Sequence, residues 1–577
     1  MIEKSNNTSK IHFDVSFSEP QAHYADIKMS IKEIQTDFID VKMPVWSPGS
    51  YLIREYSKQL ERFSVEDHVK YEKISKNTWR IYCKNLNSLV INYYVYGFET
   101  SVRTNFINEE HAFIVPTATF LYIDGMIDES VTVKFFPNKD WKHISTGLEK
   151  VENHTFFAPD FDILYDSPIE IGNQDIWTIQ ASGVEHEFAM VGGGTYDKER
   201  LSADVQKIVE EETRIWGSNP NKRYVFITHN YQSGGGGLEH LNSTVLGASR
   251  TAYSNEGSYK TYLSLIAHEY FHLWNVKRLR PKALGPFDYD QENYTAGLWI
   301  MEGFTSYYDN LIIKRCGFFS EQEYLNLLAN DFTTVLNRPG HQIQSAAEAS
   351  FDAWIKYYRQ DENSPNSSIS YYNKGAMLTV LLDLKIIAAS KGTKKLDNVL
   401  QVAYEYFYLQ QNRGFEEYEF QQLVEEVSGI SVTEIFHAAH ENGELAYNDY
   451  FNLVGFEIID INAESSYLSL GINYQKNDGL HIITAVERGS GAWDGGLNVR
   501  DELIAINGIR LDMKDKEYDY FMQHSTEGEI LDILIARDGI IKELKIQIRS
   551  NNKKMFRIQP LKDQSEEQQK LAQFWLS

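Results

Sequence analysis

Three residues of one apolar stretch, His268, Glu269 and His272 in LSLIAHEYFHLWNVKRLRP (residues 263–281), have the types and spacing of a metal-dependent hydrolytic site. Side chains four apart leave one face of a helix, so both imidazoles can address a single ion, with the Glu269 carboxylate beside them to carry a proton. Chance gives about 0.04 such HExxH runs in a chain of this composition. An amphipathic core helix built on Leu263, Ile266, Tyr270 and Leu273 accounts for the apolar positions. It gives no reason for two imidazoles and a carboxylate to share the inner side, where unpaired ionisable groups are costly.

A catalytic zinc site takes three protein ligands and leaves one position open for water. Pro281 and Pro286 are expected to break the first helix, after which helical periodicity resumes in ENYTAGLWIMEGFTSYYDNLIIKR (292–315), which carries Glu302. A carboxylate on a neighbouring antiparallel helix could complete the ligand set. With both segments present, the chain resembles the gluzincin metallopeptidases, whose third ligand is the Glu of such an EGF segment. The resemblance implies a mainly helical, thermolysin-like catalytic domain holding a single Zn2+ ion through His268, His272 and Glu302.

Two further runs bear on substrate. KRYVFITHNYQSGGGGLEHLNSTVLG (222–247) reads as a strand, a loop at Gly234–Gly237 and a second strand holding Glu239 and His240. A glycine-lined edge at Gly236 and Gly237 lets a substrate backbone pair with it, and Glu239 could bind the α-ammonium of a peptide. A plain hairpin with a solvated Glu has the same pattern. Gluzincin aminopeptidases use a glycine-rich segment with a Glu in this manner, and GGLEH resembles it, which implies cleavage of the first peptide bond. SSISYYNKGAML (367–378) is similar to the YxKG element of that clan. The similarity implies Tyr372 as a donor to the tetrahedral oxyanion, with Tyr371 the main rival.

Near the N-terminus the chain reads VWSPGSYLIREYSKQL (45–60). Together with GGLEH, HEYFHLWNVKRLRP, EGFTSYY and a trailing PDZ-like region, it resembles the glycyl aminopeptidase family of metallopeptidases. The resemblance extends from residue 45 to about 510 and implies a preference for N-terminal Gly or Ala. On its own, the Trp46–Tyr56 run suits a structural role, with Pro48 and Gly49 in a turn and Arg54 and Glu55 as a salt bridge.

At 577 residues the chain is too long for one core and suggests three or four domains. A net charge of −25 argues against nucleic acid or an anionic membrane as partner, while cationic peptide N-termini are not repelled. Cys83 and Cys316 are the only cysteines and are expected in different domains, which excludes a disulfide framework. MIEKSNNTSKIHFDVSF lacks the apolar core of a signal peptide, and no long apolar run follows. The expectation is a soluble cytoplasmic protein without a membrane span, or a secreted or periplasmic one if a leader has been removed.

Residues 1–180 alternate with the period of strands, as in KIHFDVSF and SLVINYYVYGF, and predict an antiparallel β-domain. From 181 to 452 a short strand pair gives way to largely helical patterns, the expected catalytic domain. Residues 453–550 return to strands, and GLHIITAVERGSGAWDGGLNVRDELIAINGIRL (479–511) matches the PDZ order of strand, turn, short helix and strand. After Ser469, the residues Leu470, Gly471 and Ile472 resemble a carboxylate-binding loop, so a C-terminal peptide is a partner to weigh against a purely structural module. DKEYDYFMQHS (515–525) would form the other groove wall, and Arg500 stands where a Gly often precedes the Asp. In the tail, 551–577, Ser565 and Gln568 have capping-box spacing. Leu571, Phe574, Trp575 and Leu576 supply an apolar face, which predicts a docked helix. The whole reads as a multidomain α+β chain.

The combined expectation is a zinc aminopeptidase acting on peptides with a free N-terminus. Glu269 serves as general base and acid, Tyr372 as oxyanion donor, and Glu239, Gly236 and Gly237 bind substrate. An endopeptidase would use the same zinc groups but gain nothing from Glu239. A PDZ scaffold with a structural zinc site would need a fourth ligand and no Glu269.

Overall fold

The computed structural model describes residues 9–465, 467–511, 514 and 516–577. The polar N-terminal residues 1–8 and Asp515, the expected first residue of the groove helix, lie outside the described residues. The chain divides into two compact units, Met1–Thr295 with Tyr308–Phe319 and Asp397–Phe420, and Ala296–Tyr307 with Ser320–Leu396 and Gln421–Ser577.

The first unit opens with strands whose alternate residues turn inward, such as Ile11, Phe13 and Val15 of Ile11–Ser16. A seven-stranded sheet runs in the order Glu149–Glu152, Thr155–Ala158, Val131–Phe136, Ile11–Ser16, Tyr24–Lys32, Ser88–Tyr96, Leu60–Val65. It departs from the expected antiparallel pattern at one place, where Ile11–Ser16 pairs parallel with Val131–Phe136. Two four-stranded sheets accompany it.

Beyond it, the expected short strand pair is a five-stranded mixed sheet that starts at Asp175. Its order is Asp175–Ala181, Val184–Val191, Arg223–Tyr231, Ser243–Ser249, Gly237–Glu239, with the three central strands parallel. Parallel strands need a crossover, and the helix Lys198–Trp216 supplies it, capped by Asp197 and closed by Gly217 at φ 83°. Alternation along Arg223–Tyr231 sends Val225 and Ile227 into the β-core, while Phe226 stacks on Tyr270 and Thr228 hydrogen bonds Tyr262. Tyr262 and Tyr270 belong to the HExxH helix, Glu256–Phe271, which therefore lies on the other face of this sheet. Both faces of the strand are buried, so its sequence lacks the polar alternation of a half-exposed strand.

The HExxH helix begins at Asn255, whose side chain accepts from the Ser258 N–H, and stops at Phe271, ten residues before Pro281. The proline does not end it. The chain instead winds through tight turns between Tyr270 and Leu279, with Val276 at φ 135°. The helix carrying Glu302 likewise starts later than the periodicity implied, at Leu298, and runs to Arg315. Cys83 and Cys316 are both free and both fall in the first compact unit.

In the second unit the helix Tyr371–Ala389 is buried almost all round, as befits a helix apolar on every side. It crosses the first half of the Glu302 helix at two glycines: a Cβ on Gly303 would lie 2.4 Å from the Gly375 Cα. The C-terminal helix Glu566–Leu576 has the expected capping box at Ser565 and Gln568, and buries Trp575, whose Nε1–H donates to Tyr307 Oη at 2.9 Å. The PDZ region forms a six-stranded sheet in which Arg500 adopts φ 74°, the left-handed conformation that a glycine takes at least cost. Asn366 joins this sheet to the helices of the unit, donating to the Val486 carbonyl and accepting from the Arg488 N–H. Among the described residues no helix is long and apolar enough to cross a membrane.

Candidate active site

The histidines of the HExxH helix are oriented from behind. His272 Nδ1 lies 2.7 Å from the Asn275 carbonyl oxygen, which can only accept, so this nitrogen carries the proton. His268 Nδ1 lies 3.0 Å from Asp309 Oδ2, which selects the same tautomer. Both Nε2 lone pairs are thereby turned outward, and the two nitrogens sit 3.2 Å apart. Lone pairs so close repel unless a cation or proton lies between them. The pair fits a borderline divalent ion, and the groups behind it are the usual outer partners of metal-bound imidazoles.

Asp309 is on the second half of the Glu302 helix, within the first unit, where Tyr308 stacks on Phe271 with ring centroids 4.8 Å apart. Glu302 precedes Asp309 by seven residues on the same continuous helix, two turns away on the same face. In the run EGFTSYYD the spacing puts Asp309 on the face of Glu302, but no local pattern marks it as a partner of His268.

Glu269 is buried beneath the edge strand Gly237–Glu239. A Cβ on Gly237 would lie 2.3 Å from Glu269 Oε1, so only glycine leaves room for the carboxylate. Gly236, at φ 79°, has open space where its Cβ would be. The strand is at the sheet margin and ends at Glu239; His240, expected within it, lies in the turn that follows. Glu239, Glu269 and His272 converge, with one oxygen or nitrogen of each within 4.8 Å of the others, all buried.

The Trp46–Tyr56 segment now acquires a place. Gly49, at φ 84° in the Ser47–Ser50 turn, is packed on Glu239, where a Cβ would fall 2.4 Å from Oε1. The expected Arg54–Glu55 salt bridge gives way to two other contacts: Arg54 donates to Ser50 Oγ, and Glu55 pairs with Lys76 at 2.9 Å. Behind the edge strand, Asp166 accepts from the Leu241 N–H and lies 3.0 Å from His240 Nδ1 and 2.7 Å from Lys277 Nζ. It thus ties the strand's end to the turn after the HExxH helix. Against the effect of burial, Lys277 and His240 hold the Asp166 carboxyl down at about 2.

In the second unit Tyr371 and Tyr372 open their helix behind the Ser370 cap and stack on each other; Tyr372 also stacks on Tyr357, against which Tyr371 is tilted. Tyr371 is wholly buried, whereas Tyr372 keeps some exposure. Burial and the charge of Glu302 push the Tyr372 phenol well above its ordinary value, so it stays a proton donor. In the PDZ region Gly471 sits at φ 79° between buried Leu470 and half-buried Ile472, and its N–H donates to Ser469 Oγ at 2.9 Å.

Residues 261–378 match the family model of the M61 glycyl aminopeptidases, residues 12–173 that of the peptidase M61 N-terminal domain, and residues 482–537 that of a PDZ domain. The chain belongs to the M61 peptidase family. A crystal structure of an aminopeptidase N family protein from Idiomarina loihiensis is similar to this M61 chain at 27% identity and TM-score 0.90, covering 98% of this chain and all (100%) of that one. An M1 zinc metallopeptidase from Deinococcus radiodurans is more distant, at 12% identity and TM-score 0.48 over 76% of this chain and 94% of that one. No curated protein sequence matches the chain. By family, then, this is an aminopeptidase.

Gly237 is the most direct local test of the geometry. Gly237→Ala forces the Glu269 carboxylate or the edge strand to move, and a displacement of about 1 Å costs on the order of 10²-fold in turnover. The expected result is a large fall in kcat on an aminoacyl reporter with a melting temperature within a few degrees of wild type; wild-type kcat would show that Glu269 has room to spare.

Proposed function

We propose that the M61 chain is a zinc-dependent aminopeptidase that hydrolyses the first peptide bond, with N-terminal Gly preferred, as the family name suggests, or the similarly small Ala. The observation that carries it is the convergence of buried Glu239 and Glu269 with His272 at a glycine-lined sheet margin. His268 and His272 present their Nε2 atoms side by side, and Glu302, two turns from Asp309 on the helix that orients His268, is the third ligand. An ion bound there supplies Lewis acidity, which lowers the pKa of water and polarises the scissile carbonyl.

The protein groups do the rest. Glu269, held under Gly237, takes the proton from the attacking water and hands it to the departing amine. The substrate backbone runs along Gly236 and Gly237, which have no side chains to bar it. Glu239 receives the α-ammonium, and this fixes the first peptide bond beside Glu269. Tyr372 donates its phenolic hydrogen bond as the carbonyl oxygen gains charge. Tyr372 is favoured over Tyr371 because it is the more exposed ring and feels the Glu302 charge.

The metal assignment predicts that Glu269→Gln lowers kcat by roughly 10² to 10⁴ while bound zinc stays at the wild-type level. His268→Ala, His272→Ala and Glu302→Ala should each remove about one zinc per chain by elemental analysis; unchanged zinc in the Glu302 variant would leave the third ligand elsewhere.

For Tyr372→Phe the expected cost is about 10² to 10³ in kcat with little change in KM, since the interaction develops in the transition state. A normal Tyr372→Phe beside a crippled Tyr371→Phe would transfer the role by one residue.

Recognition of the amine is tested by Glu239→Gln on one peptide with its N-terminus free or acetylated. A charge-assisted hydrogen bond contributes roughly 1.5 to 3 kcal/mol, or about ten- to 150-fold in kcat/KM. That loss should appear with the free amine alone. Equal losses for the two substrates would favour an endopeptidase.

A further inference from the structure

On the far face of the five-stranded sheet from the HExxH helix, within the first unit, three more ligand-type side chains meet. Glu170, on the strand Ile169–Gly172, is fully buried, and its two oxygens lie 2.8 Å from His111 Nδ1 and 2.8 Å from His229 Nε2. The three ligand atoms fall within 4.8 Å of one another. The cluster is built into the packing: a Cβ on Gly172 would lie 2.7 Å from the His111 Cβ, and the His229 ring lies edge-on to Phe113 at 4.6 Å. It forms part of the wall of a cavity of about 570 Å³ at the ends of the parallel strands, which Gln174, Tyr231 and Arg250 also line.

Two features favour a ligand over a closed hydrogen-bonded cluster. A fully buried carboxylate needs a compensating charge, which here comes from the two imidazoles that hydrogen bond Glu170 or from an ion they share, since neither a lysine nor an arginine pairs with it. Two buried polar atoms of the cavity wall, His229 Nδ1 and Gln174 Oε1, also have no partner among the described residues. We infer that His111, Glu170 and His229 bind a second divalent transition-metal ion, with its remaining position facing the cavity. Water in that position gives Gln174 Oε1 a donor. Binding through His229 Nε2 leaves the ring's proton on Nδ1. Two nitrogens and one carboxylate suit zinc, cobalt or nickel rather than magnesium or calcium. The ion joins three separate strand regions of the β-core and does not depend on the peptidase chemistry proposed above.

The test removes the HExxH pair and leaves the cluster untouched. The full-length His268→Ala/His272→Ala variant is stripped with a chelator, incubated with zinc, desalted and analysed for metal. About one zinc per chain should remain, with a raised melting temperature relative to the stripped protein. Adding Glu170→Gln, which keeps shape and hydrogen bonding, should abolish the retention, as should His111→Gln at the more accessible ligand. In the double variant cobalt should give visible absorption bands that Glu170→Gln erases. No retained zinc, or zinc that survives both Glu170→Gln and His111→Gln, would overturn the assignment. If the HExxH reading alone were wrong, the wild type would hold one zinc rather than two while the double variant would be unchanged.

Discussion

The site depends on the burial of like charges. Glu239 and Glu269 place carboxylate oxygens within 4.8 Å of each other in a region from which water is largely withdrawn. Two such charges repel by roughly 3 to 4 kcal/mol at an effective dielectric of 20. The arrangement is tolerable when cations occupy the space between and beside them, and a hydrolytic ion and a substrate ammonium are cations of the right size. Repulsion between the two carboxylates would thus become affinity for the cations that the proposed reaction requires.

Glycine makes the crowding possible. Gly237 leaves room for Glu269, Gly49 leaves room for Glu239, and Gly303 and Gly375 let the helices bearing Glu302 and Tyr372 touch backbone to backbone. Each of these glycines stands within a few residues of a site group or directly against one. The backbone is therefore brought to the chemistry at points where a side chain would push it away, and the flanking elements, anchored by Asp166 and by the Phe271–Tyr308 stack, keep it there.

Much of this was legible in the sequence because helical periodicity and motif spacing are local. The HExxH helix, the helix after it, the N-terminal strands and the capped C-terminal helix all follow from patterns within twenty residues. What escaped is non-local. The Arg223–Tyr231 run reads as a strand, but its place at the centre of a five-stranded sheet, buried on both faces, depends on partners far along the chain. Pro281 looked like a helix terminator, but the helix had already ended where His272 Nδ1 reaches the Asn275 carbonyl. Asp309 and Gly49 act on residues 41 and 190 positions away, and only the folded chain brings them together. Arg500, which stands where a glycine often does, takes the left-handed conformation that the glycine would.

The division of the chain has a consequence for how the protein is made. The first unit draws on three stretches, the last of which ends at Phe420, while the second unit begins at Ala296. A chain leaving the ribosome therefore cannot finish the first unit before about 125 residues that follow Thr295 have also emerged. The helix Leu298–Arg315 gives its opening turns to one unit and its closing turns to the other. No single cut in the chain yields either unit whole, so synthesis commits the protein to maturing both together.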